Sequence, residues 1–133
     1  MSYRPVISIV DDDAFVRQAT ENLLQSLGFG VATFASAEAF LESGLADETS
    51  CLIADLQMPG LTGLDLQKRL IESGKRMPII FITAFFSEGV RKQALDGGAF
   101  GFLGKPFGDE SLLECLNKAL AEPRCPSLRR TAI

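Results

Sequence analysis

Cysteine is scarce in this chain and follows no pairing pattern: Cys51, Cys115 and Cys125 form no CxxC and leave an odd count. Neither a disulfide framework nor a zinc site is indicated, and a reducing cytoplasm is the simplest compartment. No apolar run approaches the length of a membrane span, and Arg4 ahead of a short strand-like stretch makes a poor signal peptide. Positive charge is not in excess. The formal net charge of -4 argues against a general nucleic-acid-binding surface, which needs a basic patch. Internal repeats and low-complexity segments are also missing. What remains is a chain of 133 residues, 47% hydrophobic, long enough for one compact domain with a sizeable core and too short for two ordinary ones.

Along that chain, strand-like runs alternate with helical ones, the pattern of an α/β fold with a parallel sheet. Strands are predicted near 6–10, 30–34, 51–55, 79–83 and 100–103. Helices are predicted between and after them. The first, about 14–27, offers Val16, Ala19, Leu23 and Leu27 as its buried stripe and stops at Gly28. The second, about 37–43, follows Ser36 as N-cap with Glu38 and Glu42 nearby. A third, about 63–73, carries Leu64, Leu66, Leu70 and Ile71. The fourth spans about 87–96 from Ser87, and the fifth, about 109–121, repeats Leu112, Leu113, Leu116 and Leu120 before Pro123. Residues 1–121 read as the domain. The segment 122–133, with two prolines and three arginines and no periodicity, reads as a disordered tail or the start of a linker.

Polar residues stand where the strand-like runs give out: Asp11 and Asp12 after ISIV, Asp55 after CLIA, Thr83 after IIFI and Lys105 after FGFLG. In an open parallel sheet the carboxyl ends of the strands share one edge, and ligands bind in the crevice beside it. Three acids, a hydroxyl and an ammonium are therefore expected in one pocket. Crowded carboxylates either raise their pKa values or take up a cation. Magnesium suits them, because it keeps several waters and is held by one or two carboxylates together with phosphate oxygens. A carboxylate can itself attack phosphorus. Asp55 stands alone ahead of the turn-forming Met58-Pro59-Gly60, so it is assigned the attack, whereas the adjacent Asp11 and Asp12 suit metal binding.

The motifs VDDD at 10–13, DLQMPGLTG at 55–63, ITA at 82–84 and KPF at 105–107 resemble the signature set of response-regulator receiver domains of two-component signalling. The likeness covers about residues 5–121. It implies a flavodoxin-like (βα)5 fold with strand order 2-1-3-4-5 and helices on both faces. It further implies a phosphoacceptor at Asp55, with magnesium (manganese substituting) held by Asp12 and Asp55, by Asp11 chiefly through water, and by the Gln57 backbone carbonyl. Thr83 and Lys105 would contact the phosphoryl oxygens, Lys105 and Pro106 would share a cis peptide, and Phe102 would be the switch aromatic paired with Thr83. Gln57 and Phe85 would flank the path of the water that hydrolyses the adduct. The implied partner is a histidine kinase or phosphotransfer protein, since a chain without histidine cannot itself be the donor.

The resemblance also implies a phosphorylation-dependent homodimer through the face of helix 4, strand 5 and helix 5, and a role in transcriptional regulation, with SAEAFL at 36–41 pointing the same way. Direct nucleic-acid binding by this chain and membrane association are not expected. Nor is enzymatic turnover beyond assistance to its own phosphorylation and dephosphorylation. The alternative is a phosphatase of the haloacid-dehalogenase type, which shares an aspartate nucleophile, magnesium, a threonine or serine and a lysine. It leaves the PGLTG turn unexplained, and the nearest acids after Lys105 are Asp109 and Glu110, at a helix start rather than on a strand. A nucleotide-binding module would need a phosphate-cradling loop after the first strand, where three acids stand instead. Taken singly, each acid could be a helix N-cap, Lys105 a solvated charge, and Phe102 or Cys51 ordinary core.

Overall fold

The β-rich runs and amphipathic runs of the sequence close into one sheet with helices on both sides. The computed structural model describes residues 5–75, 77–85, 87–105 and 107–121. Its strands are β1 (Val6–Val10), β2 (Gly30–Phe34), β3 (Cys51–Asp55), β4 (Ile79–Thr83) and β5 (Gly101–Gly104). Its helices are α1 (Ala14–Ser26), α2 (Ala37–Ser43), α3 (Gly63–Glu72), α4 (Glu88–Asp96) and α5 (Asp109–Ala121). All strand pairs are parallel, in the order β2-β1-β3-β4-β5. Both predicted features, the strand order and the α/β alternation, are present.

Strand periodicity divides the core into two layers. Successive side chains of a strand point to opposite faces, so Val10, Leu52, Ala54 and Phe81 pack with Ala37 and Phe40 of α2, Leu66 and Leu70 of α3 and Ala94 of α4. Ile7, Ile9, Ile53, Ile80 and Ile82 pack with Leu24 of α1 and Leu112, Leu116 and Ala119 of α5. Burial on both faces explains why β3 and β4, buried at every position, read as continuous apolar runs rather than alternating ones. Cys51 is ordinary core, as expected.

Helix starts follow the expected chemistry. Ser36 accepts from the Ala39 amide at 3.0 Å, Ser87 accepts from Val90, and Thr62 and Asp65 form a reciprocal capping box at the start of α3. Two stripes differ from expectation. Helix α1 buries Thr20 and Leu24, with Val16 and Leu23 half-covered, while Ala19 and Leu27 face outward. Thr20 is tolerated inside because its hydroxyl donates to the Val16 carbonyl at 2.8 Å. In α3, Gln67 is buried and Ile71 exposed; Gln67 spends its amide on the Ala94 carbonyl of α4 at 3.1 Å. A short 3-10 turn at Ala46–Glu48 was not foreseen. The segment 122–133, including Cys125, and Pro106 with its expected cis peptide lie outside the described residues.

Candidate functional site

Register brings the strand ends together. Val10 pairs with Ala54, Asp55 with Ile82 and Thr83 with Gly104. Backbone hydrogen bonds carry the ladder past the strand ends: Asp11 donates to Phe34 at 3.1 Å, Leu56 to Ile82 at 2.9 Å and Lys105 to Thr83 at 2.6 Å. Each polar residue therefore leaves the sheet from a fixed backbone at the same edge.

Three carboxylates converge there. Asp11, Asp12 and Asp55 can each present an oxygen within 4.8 Å of the others, Asp11 and Asp55 being buried and Asp12 exposed. The Lys105 ammonium lies 3.1 Å from Asp11 Oδ2 and 3.2 Å from Asp55 Oδ2. The adjacent acids divide their work. Asp13 is the N-cap of α1, accepting from the Phe15 and Val16 amides, and its own N–H donates to Asp11 Oδ1 at 2.9 Å. Asp11 and Asp12 are thereby left free of capping duty. The N-cap alternative holds for the third acid of the run alone.

Electrostatics follow from this crowding. Burial pushes the Asp55 carboxyl from its ordinary 3.8 up to about 6; the Gln57 amide at 3.2 Å pulls back, the Asp11 charge pushes further, and Lys105 again pulls back. For Lys105, burial works against the charged form, but the hydrogen bonds and charges of Asp11 and Asp55 outweigh it and hold the ammonium above its ordinary pKa. Among the described residues Asp11 Oδ2 is the buried side-chain oxygen with no hydrogen bond, its ammonium neighbour being close but poorly aligned. A buried carboxylate oxygen with an ion pair but no hydrogen bond, three hard oxygen donors and a single ammonium against three acids are the features a divalent oxygen-seeking cation such as magnesium satisfies. These residues fit that ion.

The remaining predicted residues take different places. Thr83 is buried at the edge, and its hydroxyl exchanges hydrogen bonds with the Phe85 backbone, accepting from N at 3.1 Å and donating to O at 3.3 Å. Phe85 itself exposes 72% of its surface. Phe102 lies half-buried against the α2–α3–α4 layer, opposite Phe81 in the ladder. Gln57 is exposed, with its N–H on Asp55 Oδ1. Three contributors escaped sequence reasoning. Arg17 Nη1 donates to the Asp11 carbonyl at 2.6 Å, bracing the β1–α1 turn. Glu38 of α2 accepts from the Leu61 amide at 3.2 Å. Gly63 brings α3 so close to β3 that a Cβ there would meet the Asp55 carbonyl oxygen at 2.7 Å and Leu56 Cα at 2.9 Å. The glycine of PGLTG was visible in the sequence; the reach of Arg17 back across six residues and of Glu38 across 23 had no local signal.

Comparison with known proteins is consistent over nearly the whole chain. The profile of the response regulator receiver domain matches residues 7–117. Nodulation protein W of Bradyrhizobium diazoefficiens is 40% identical over 123 residues, 92% of this chain and 54% of that protein. Transcriptional regulatory protein TdiR of Thauera aromatica is 40% identical over 115 residues, 86% of this chain and 51% of that protein. The chain thus spans about half the length of these curated relatives. The solved structure of the response regulator StyR superposes with a TM-score of 0.84 at 38% identity, covering 98% of this chain and 64% of that one.

Proposed function

The chain belongs to the response regulator receiver domain family, and from that premise we propose that it is a phosphorylation-dependent switch that accepts a phosphoryl group on Asp55. Receiver domains are signalling modules rather than catalytic enzymes as such, they imply a histidine kinase partner, and they typically bind magnesium at an acidic pocket. The haloacid-dehalogenase alternative is not favoured. The observation that carries the reading is the bridge of one ammonium, Lys105, across Asp55 Oδ2 and Asp11 Oδ2, the latter an ion pair without a hydrogen bond.

In this reading an Asp55 oxygen attacks the phosphorus of a phosphohistidine on a kinase or phosphotransfer protein; the new P–O bond forms as the P–N bond breaks, and the imidazole leaves. Asp11, Asp12, Asp55 and the Gln57 carbonyl would hold magnesium, or manganese in its stead, which when bound neutralises the acids and the phosphoryl oxygens. Lys105 turns from Asp55 Oδ2 to a phosphoryl oxygen, keeping its Asp11 contact. Thr83 must release the Phe85 backbone to donate to a phosphoryl oxygen. That exchange links the chemistry to the start of α4, three residues beyond Phe85, and leaves room into which Phe102 moves. The α4–β5–α5 face changes as a result, and with it a homodimer or a partner contact. Phosphorylation shifts a two-state population by a few kcal/mol.

Relatives named as transcriptional regulators support an output in transcription, exerted in the cytoplasm through an attached or separate effector rather than by direct nucleic-acid binding of these residues. Among the described residues no helix is long and apolar enough to cross a membrane. The test is intact mass after treatment with acetyl phosphate and magnesium. One added phosphoryl group is expected, absent in Asp55→Asn. Sustained turnover of a generic phosphomonoester, or the same adduct in Asp55→Asn, overturns the reading.

A further inference from the structure

We propose that Glu38, on α2 and outside the acidic cluster, is a positioning residue for the β3–α3 loop, holding that loop so that the Gln57 carbonyl is aimed for magnesium. The inference rests on the reading of the site given above. The loop from Leu56 to Thr62 is tied at its ends by its own atoms: the Gln57 amide to Asp55 Oδ1 at 3.2 Å, and the Gly63 amide to the Leu56 carbonyl at 3.0 Å. Its middle is gripped from another element. Glu38 Oε2 accepts from the Leu61 amide at 3.2 Å. The same carboxylate approaches Gly60 through Oε2, where φ is +77° and a Cβ would stand 2.6 Å from Oε2, 3.4 Å from Cδ and 3.6 Å from Oε1. Gly60 therefore does two things: it supplies the left-handed turn and leaves the space the carboxylate fills.

The grip comes from a rigid base. Glu38 stands in the first turn of α2, capped by Ser36, with the flanking Ala37 and Phe40 fully buried. On the loop side, Met58 is buried and Leu61 packs in the same layer as Ala37 and Phe40. The backbone N–H of Leu61, by donating to a side-chain oxygen of another element, is restrained by it, and this amide lies four residues beyond Gln57. Groups that orient a ligand without touching the metal characteristically affect metal affinity.

The alternative role for Glu38 is long-range charge, an extra anion attracting the cation. Three variants of the 133-residue chain separate the two. Glu38→Gln keeps the acceptor and reach but loses the charge; Glu38→Asp keeps the charge but is one methylene short; Glu38→Ala loses both. Magnesium affinity is measured by isothermal titration with the metal alone, and Leu61 amide exchange by NMR without metal. Positioning predicts about tenfold weaker magnesium binding in Glu38→Ala and Glu38→Asp, with faster Leu61 exchange, and near-parental values for both in Glu38→Gln. Loss in Glu38→Gln with retention in Glu38→Asp overturns the inference in favour of charge, and parental affinity in Glu38→Ala overturns it outright. Failure of the parent chain to bind magnesium sinks the reading of the site, and this inference with it. Should Glu38→Ala fold poorly, the Gln and Asp pair still decides.

Discussion

Asp55→Asn should stabilise the chain in the absence of divalent metal. Asp55 is nearly buried, and its carboxyl is raised from 3.8 to about 6. At about 1.4 kcal/mol for each pKa unit, ionised Asp55 costs the folded state about 3 kcal/mol near neutral pH. Asparagine removes that cost but must turn its amide nitrogen toward either the Gln57 N–H or Lys105, forfeiting one hydrogen bond, about 1 kcal/mol. The net gain is about 2 kcal/mol, or roughly 6–8 °C in Tm for a domain of this size.

The pH dependence has a definite sign. An acid whose folded pKa is raised binds its proton more tightly when folded, so the parent gains stability as pH falls from about 6 toward about 4 and loses it as pH rises through that window. Asp55→Asn lacks this component, and its advantage should vanish by about pH 4. Thermal unfolding in chelator, followed by far-ultraviolet circular dichroism because the chain has no tryptophan, measures both. With magnesium present the order should narrow or reverse, since a ligand of the folded state stabilises the protein that binds it better. A variant no more stable than the parent in chelator near neutral pH would refute the idea that burial and Asp11 hold Asp55 in an unfavourable charged state.

Gly63→Ala should lower stability by about 1–3 kcal/mol, because the added methyl would sit 2.7 Å from the Asp55 carbonyl oxygen and 2.9 Å from Leu56 Cα, backbone atoms that cannot rotate away; an unchanged urea midpoint would show that α3 retreats without penalty. Phe85→Glu should shorten the lifetime of the phosphoryl state in excess magnesium, because Phe85 sets an exposed apolar ring two residues past Thr83, where a carboxylate could orient the hydrolytic water. Equal decay rates in parent and variant would remove Phe85 from that role.

Much of this molecule is local in origin. The runs CLIA and IIFI are apolar without alternation because both faces of a central parallel strand are covered, and Ser36, Thr62 and Ser87 mark helix starts because a short side-chain oxygen can reach an amide two or three residues on. The polar residues at the strand ends were legible for the same reason, since a strand that stops at a parallel sheet's carboxyl edge leaves its next residue at the crevice. Helix faces were less legible. Thr20 and Gln67 are buried because each finds a carbonyl to bond, and Ala19, Leu27 and Ile71 face outward. Hydrophobic periodicity cannot register a buried polar residue satisfied by a partner.

By itself, the order of residues determined the strands, the caps and which acids, hydroxyl and ammonium would reach one edge, because each depends on neighbours a few positions away. Tertiary structure alone decided that Lys105 bridges residues 94 and 50 positions distant, and that Glu38 reaches 23 positions to Leu61. Those contacts join separate crossovers of the sheet. Their strength depends on burial and on distances of about 3 Å that no local pattern encodes.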